Sequence, residues 1–399
     1  RVTYNIMNPD NPLLRNAGTN QIGMRQYNER RILAIIREAS DITKADIAKA
    51  TNLTPQTATI IINRLEEQEL VIAGEKRRGG KGQPSTPYSL NPDGALSIGI
   101  KIGRSSLEVL LIDFTGEVRS RVSFHYIFPE PKEVFCNIKS SLDNILGSLT
   151  AHQRTKVIGI GVAAPYSLDG WAKELPGPAT ARESWANTNI REEISALTNI
   201  PTTLANDATA ACIAELTFGN PHKWRSFLYF YVGTFMGGGL VLNGQIYAGH
   251  NTNAGAMGSI PLTASKQLIT DASLYHLDQQ LSQLELATSF FEETNEICPK
   301  AWLIYTRWAD KAALSIAYAI ASGCAFIDPE GVIVDGGIPT KAASYLVDAI
   351  RDACDTDNWE GLAKVDIICG NIGFDARALG GALVPIYSTF APDSDAYLK

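Results

Sequence analysis

The sequence predicts an α/β protein in which a small helical head with a wing is followed by two similar α/β lobes with a cleft between them. Three observations carry this. Residues 43–70, TKADIAKATNLTPQTATIIINRLEEQEL, have the spacing of two short helices joined by a tight turn. A basic, glycine-rich hairpin follows directly. After residue 90, the order strand, glycine turn, strand, turn, strand, helix occurs twice.

The head is read first. Ile32, Leu33 and Ile36 place one apolar face on a helix over 21–39. Thr43 and Asp46 form a capping-box pattern, so a second helix starts there with Ile47 and Ala48 inward. Thr51 and Asn52 interrupt it. Thr54 followed by Pro55 signals a third start. In that third helix Ala58, Ile61, Ile62 and Leu65 recur at i, i+3, i+4 and i+7 and face inward, leaving Gln56, Thr57, Thr59, Asn63 and Arg64 nearer the outside. Short polar groups at the first turn suit a recognition helix, which approaches base edges in the major groove while its free amides take a phosphate. A helix pair of this kind also occurs as a plain hairpin on an enzyme surface. The next residues point to DNA. A short strand at 70–72 leads into EKRRGGKGQPSTPYSL, which puts Arg77, Arg78, Lys81 and Gln83 on a wing before a second strand near 87–90.

Composition bounds the rest. The chain has 399 residues, 45% hydrophobic and 19% charged, enough for two or three domains with sizeable cores. Residues 1–90 hold 13 Lys and Arg against 9 Asp and Glu, and the remainder 22 against 33. A basic head on an acidic body fits a head that meets nucleic acid and a body that binds something small. The six cysteines form no CxxC pair, so neither a zinc knuckle nor a disulfide framework is indicated. No uninterrupted apolar run of about 18 residues and no signal peptide is legible, so no membrane partner and a cytoplasmic location are expected. Residues 1–20, rich in Asn and Pro, read as a flexible N-terminal arm.

The body begins after the turn Asn91-Pro92-Asp93-Gly94. Three strands follow in ALSIGIKIG, SLEVLLIDF and GEVRSRVSFHYI, then a helix over 131–149 and the buried strand KVIGIGVAAP. PTTLANDATAACIAELTFG is a strand ending at Asn206 and Asp207 and then an Ala-rich helix. SFLYFYVGTFMGGGLVLNGQIYAG opens the second set of strands. A helical region over 269–327, the strand and turn GVIVDGGIP, a helix to about 354, the strand VDIICG and a closing helix in FDARALGGALVPIYSTF complete the chain.

These motifs resemble the ROK family of repressors, open reading frames and sugar kinases, specifically its transcription-factor branch with an N-terminal winged helix. The likeness covers about 21–395 and rests on the winged head, IGIKIGRSSLEVLLIDFTGEV, GIGVAAP, LANDATAACIAE, YVGTFMGGGLVLNGQIYAG, AGAMGS and VDGGIP. It implies an actin-like, ribonuclease-H-like pair of lobes closing around a sugar. The expected division is 21–90 for the head, 91–205 with 375–399 for the first lobe, and 206–374 for the second.

The chain also departs from the family. Where the kinases have Asp-x-Gly-Gly-Thr, whose carboxylate organises metal and phosphates, this sequence has Lys101-Ile102-Gly103-Arg104-Ser105. Losing both the acid and a glycine argues against phosphoryl transfer. Asn206 and Asp207 match the family's sugar-orienting Asn and its base, so Asp207 would be the base of a kinase; helix capping is the plain alternative for a carboxylate at this place. Gly255-Ala256-Met257-Gly258-Ser259 replaces Gly-Glu-x-Gly-His, and no cysteine cluster follows. Neither zinc nor any cofactor is therefore expected, and Gly255 and Ser259 remain as sugar-site candidates. Tyr166 stands where many members have Gly. For Gly237-Gly238-Gly239 a tight β-hairpin is preferred over a second phosphate loop.

The resulting expectation is a DNA-binding regulator, a repressor, of carbohydrate genes. A sugar or sugar-phosphate effector would close the lobes around Asn206 and Asp207 and shift the heads of a homodimer or homotetramer on a double-stranded operator, whose half-sites lie about 34 Å apart. One rival is a carbohydrate kinase with a DNA-binding head. Another is a DNA-binding protein whose body only dimerises under control of a partner protein.

Overall fold

The computed structural model describes residues 21–76, 85–165, 184–287, 290, 297–356 and 359–392. The chain divides into two compact units, residues 1–205 with 381–399, and 206–380.

The first unit opens with α1 (Gln21–Ala39), β1 (Ile42–Thr43), α2 (Lys44–Thr51), α3 (Pro55–Glu67), β2 (Val71–Ala73) and β3 (Pro87–Leu90). Thr43 accepts the Asp46 amide and caps α2, and Asn52, in the left-handed region at φ 54°, ends it. Thr54 accepts the Thr57 amide, and Pro55 takes the first turn of α3, where the N–H it lacks would have had no partner. Ile32, Leu33, Ile36, Ile47, Ala48, Ala58, Ile61, Ile62 and Leu65 are all buried, each larger side chain stabilising the head by roughly 1.5–3 kcal/mol. The three strands pair antiparallel in the order β1-β3-β2, with Val71 opposite Leu90 and Ile42 opposite Tyr88. The wing tip, with Arg77, Arg78, Lys81 and Gln83, lies outside the described residues, as do the N-terminal arm and Tyr166.

The same unit continues with β4 (Leu96–Ile102), β5 (Ser106–Ile112), β6 (Val118–His125), α4 (Pro131–Ser148), α5 (Ala151–Thr155), β7 (Val157–Ala164), α6 (Ile190–Leu197) and β8 (Thr202–Asn206). The sheet order is β6-β5-β4-β7-β8. The first three strands run antiparallel and β7 lies parallel to β4. Every residue of central β4 is buried, whereas edge strand β6 alternates between exposed and half-buried, as its position in the sheet requires.

The second unit holds α7 (Asp207–Phe218), β9 (Phe227–Val232), β10 (Gly237–Leu242), β11 (Gln245–Ile246), β12 (Pro261–Thr263), β13 (Lys266–Gln267), α8 (Leu268–Ala272), α9 (Tyr275–Ser282), α10 (Pro299–Ile327), β14 (Gly331–Gly336), α11 (Thr340–Thr356), β15 (Asp366–Cys369) and the start of α12 (Ala376–Phe390). Its five-stranded sheet has the order β11-β10-β9-β14-β15, with an antiparallel start and parallel β9, β14 and β15. Strand for strand, this repeats the first unit. The helical stretch expected over 269–327 is broken, because Ser273 and the residues after Ser282 leave helical geometry.

Helix α10 is long and apolar enough, by length and composition, to cross a membrane. Its Tyr305, Ala309, Ala312, Ile316 and Ile320 are nonetheless fully buried in the core of the second unit, which accounts for the apolar character.

The glycine triplet corrects the sequence reading. Gly237, Gly238 and Gly239 lie within strand β10 and form no hairpin turn. A Cβ on Gly237 would fall 2.6 Å from that of Ala208, and one on Gly239 2.6 Å from that of Cys212. The glycines let the Ala-rich face of α7 sit directly on the sheet. In the first unit Gly161 does the same for α12, since a Cβ there would lie 2.0 Å from the Gly381 carbonyl.

Candidate functional site

Two sites emerge, one on the head and one in the second unit. On the head, α3 buries Ala58, Ile61, Ile62 and Leu65, so geometry turns Gln56, Ile60, Asn63 and Glu67 to solvent. Most of the polar groups expected to read bases are already engaged within the head. The Thr54 hydroxyl lies 2.8 Å from that of Thr57, the Thr59 hydroxyl donates to the Pro55 carbonyl at 2.8 Å, and Asn63 Oδ1 accepts from Lys44 Nζ at 2.6 Å. Lys44 also sits over the Tyr88 ring, 5.0 Å from its centroid, which ties α2 and α3 to the wing strand. Arg64 turns away from this face and pairs with Glu29 of α1 at 2.6 Å, so it braces the helices and is withdrawn from base contact. Sequence reasoning missed Lys44, whose role depends on a contact across 19 residues, and Ile60, whose type reads as core.

The end of β4, just before its turn, carries Lys101, which stands where the resemblance leads one to expect an acid. Lys101 is buried at 6% exposure, and its ammonium donates to Glu108 Oε1 at 2.7 Å and to Ser106 Oγ at 3.0 Å. Lys101 and Glu108 face each other across β4 and β5, and Arg121 approaches the other Glu108 oxygen at 3.2 Å. The turn is pinned further by the Gly103 amide on the Ser106 carbonyl and the Tyr126 hydroxyl on the Gly103 carbonyl. A cation neutralised in this way does not offer its charge to a phosphate.

In the second unit, Asn206 Oδ1 accepts the Ala208 and Thr209 amides, so its side chain caps α7. Asp207, in the first turn, faces Arg377 of α12, whose Nη1 lies 3.3 Å from Oδ2. The Arg377 guanidinium also stacks over Tyr231, 5.2 Å from the ring centroid. Capping, the plain alternative, is therefore the work of Asn206, while Asp207 has a separate ionic partner. Gly255 has φ +76°, and a Cβ there would lie 2.7 Å from the Gly239 backbone; Ser259 is exposed at the end of a short 3-10 turn. Strand β10 thus separates α7, which it meets through Gly237 and Gly239, from the 255–259 turn.

Beneath this site lie two buried carboxyls that the sequence does not single out. Glu215 accepts the amides of Asn220 at 2.9 Å and Asn371 at 3.1 Å, and burial pushes its pKa up to about 7. Asp335 accepts the Tyr229 hydroxyl at 2.9 Å and the Gly373 amide at 3.0 Å; burial raises its pKa as well. Together they fix residues 371–373 just ahead of the helix that carries Arg377. Among the described residues, no group of three or more His, Cys, Asp and Glu has the arrangement of a metal site.

A winged three-helix head followed by two units that repeat one sheet order defines a class, a DNA-binding domain carried on a ribonuclease-H-like α/β body. Comparison with known proteins gives the family. Residues 97–384 match the ROK family and residues 25–72 match a winged helix-turn-helix DNA-binding domain, so the chain belongs to the ROK family and carries such a domain. It is similar to the uncharacterized protein y4fQ of Sinorhizobium fredii, at 25% identity over 91% of both chains. It is also similar to the xylose repressor of Bacillus subtilis, at 22% identity over 61% of this chain and 62% of the repressor. Among solved structures, a ROK family transcriptional regulator homologous to the E. coli MLC protein shares the fold at a TM-score of 0.64 and 19% identity, over 94% of this chain and 99% of that one. The ROK family glucokinase of Streptomyces griseus, solved with glucose and AMPPNP, shares it at 0.55 and 17% over 72% and 98%.

Proposed function

We propose that the protein is a sugar-responsive transcriptional repressor whose body binds a sugar or sugar derivative and does not phosphorylate it. The observation that carries the non-catalytic part is the Lys101–Glu108 pair, which fills with a neutralised cation the place where transfer needs a carboxylate and a metal. The winged head supports the DNA-binding part, together with relatives named xylose repressor and N-acetylglucosamine repressor. In this reading the part of α3 that carries Gln56, Thr57, Thr59 and Asn63 lies toward the bases, with Gln56 the one of the four not hydrogen-bonded among the described residues of the head, while the α3 amides with Arg77, Arg78, Lys81 and Gln83 of the wing meet phosphates. Asn206 and Asp207 hold the sugar; Gly255 and Ser259, on the other side of β10, are left outside this proposed site. The chain works in the cytoplasm as a homodimer or homotetramer. Leu314 and Tyr318, one turn apart on α10 and each about half exposed, form a small apolar surface suited to a symmetric contact.

The test is twofold. Operator DNA is selected with the full chain, and its affinity is measured across a panel of sugars and sugar phosphates; one of them is expected to weaken it. ATP consumption is followed across the same panel and is expected to stay at background. ATP turnover that Asp207→Ala abolishes would establish the carbohydrate kinase, a reading favoured by the kept Asn206 and Asp207 and by a glucokinase relative at 22% identity.

A further inference from the structure

Ile60 stands in the middle of the face that α3 presents, one turn after Gln56 and one before Asn63, and it is 53% exposed. Most polar groups near it are less available than their chemistry implies. Thr54 and Thr57 bond each other, Thr59 bonds the Pro55 carbonyl, and Asn63 takes the Lys44 ammonium. Gln56 is the exposed polar side chain at the start of α3 with no hydrogen bond among the described residues. An isolated exposed isoleucine is ordinary on a protein surface, but this one occupies the centre of the helix that the winged head lays into a groove. Its branched alkyl group is the largest apolar surface there, and the one apolar feature of a base edge in the major groove is the thymine C5-methyl.

We infer that Ile60 is a specificity-determining residue that recognises a thymine methyl in each operator half-site. The inference rests on the DNA-binding reading proposed above and adds the chemistry of one base. Burying that methyl against the side chain contributes the transfer energy of about one methylene, which corresponds to roughly fourfold in affinity. Hydrogen-bonded readout is correspondingly thin and falls to Gln56.

The experiment selects an operator from random duplexes with the full chain, then replaces each thymine of one half-site in turn by deoxyuridine, which removes only the methyl. At one position the wild-type protein is expected to lose about fourfold, Ile60→Val to lose a similar factor, and Ile60→Ala to bind thymine and uridine alike. Ile60 lies outside the core, so the melting temperature of Ile60→Ala reports that the fold is kept. Equal wild-type affinity for thymine and uridine at every position overturns the inference while leaving DNA binding intact, as does an unchanged loss in Ile60→Ala. Failure to select any sequence overturns the DNA-binding reading and this inference with it.

Discussion

The two charge pairs, one in each unit, have the same chemistry and different settings. Lys101 and Glu108 meet at 2.7 Å with side chains 8% and 15% exposed, backed by Ser106 and Arg121. Arg377 and Asp207 meet at 3.3 Å with side chains 21% and 19% exposed. The first is a short, closed pair whose partners are fully engaged. The second is longer and somewhat more exposed, the more open of the two. In the proposed reading this contrast is what separates binding from chemistry: Lys101 is spent on Glu108 within the first unit's sheet, and Asp207 is the carboxylate proposed to meet the sugar. The turn remains folded because the lysine and glutamate are a directly opposed cross-strand pair.

Breaking the closed pair has the largest expected effect. Lys101→Ala leaves Glu108 with Arg121 as its remaining cation in a half-buried position, and the loss of folding stability in denaturant titration is expected at about 2 kcal/mol. Replacing both partners at once, as Lys101→Met with Glu108→Leu, should recover most of it. If Lys101→Ala melts like the wild type, the pair is not holding the turn. Breaking the open pair should act on ligand and not on fold. Asp207→Ala removes a charged acceptor, lowers sugar affinity by about 10- to 100-fold, and leaves sugar-free operator binding unchanged. Loss of operator binding in that variant would place Asp207 in the fold and outside the sugar site.

Glu215 differs from both ion pairs, being a buried carboxyl with no cationic partner among the described residues. Its pKa, raised from 4.5 to about 7, means that the folded state holds a proton which the unfolded state releases. The stability it contributes is therefore complete below about pH 4.5 and lost as pH rises through about 7. Melting curves should show Glu215→Gln gaining on the wild type between pH 5 and pH 8, because the amide stays neutral throughout. A constant gap across that range would contradict the assignment. The smallest effect is at the head: Thr54→Ala removes the α3 cap and should cost about 1 kcal/mol, with a matching fall in operator affinity if the first turn must be ordered to take a phosphate.

Much of the fold was legible because its signals are local. Thr43 with Asp46 and Thr54 with Pro55 mark helix starts within four residues, and both starts are where the sequence reading put them. The repeated strand and glycine pattern survives as two sheets of identical order. What stayed hidden depends on distance in the chain. Arg377 reaches Asp207 across 170 residues, and nothing in FDARALGG announces that partner. The glycine triplet was read as a turn because glycine serves sharp turns and close packing equally, and only the neighbouring Ala208 and Cys212 decide between them. Ile60 stays hidden because an isoleucine beside Ile61 and Ile62 reads as core until the helix is wound and its direction seen.

The central claim is that a sugar held at Asp207 is read out as a change in DNA binding. It is tested most directly by the affinity of the full chain for its selected operator, with and without the sugar that raises its melting temperature. The account predicts at least a tenfold weakening with that sugar in the wild type and none in Asp207→Ala. An operator affinity indifferent to every sugar that binds would contradict it.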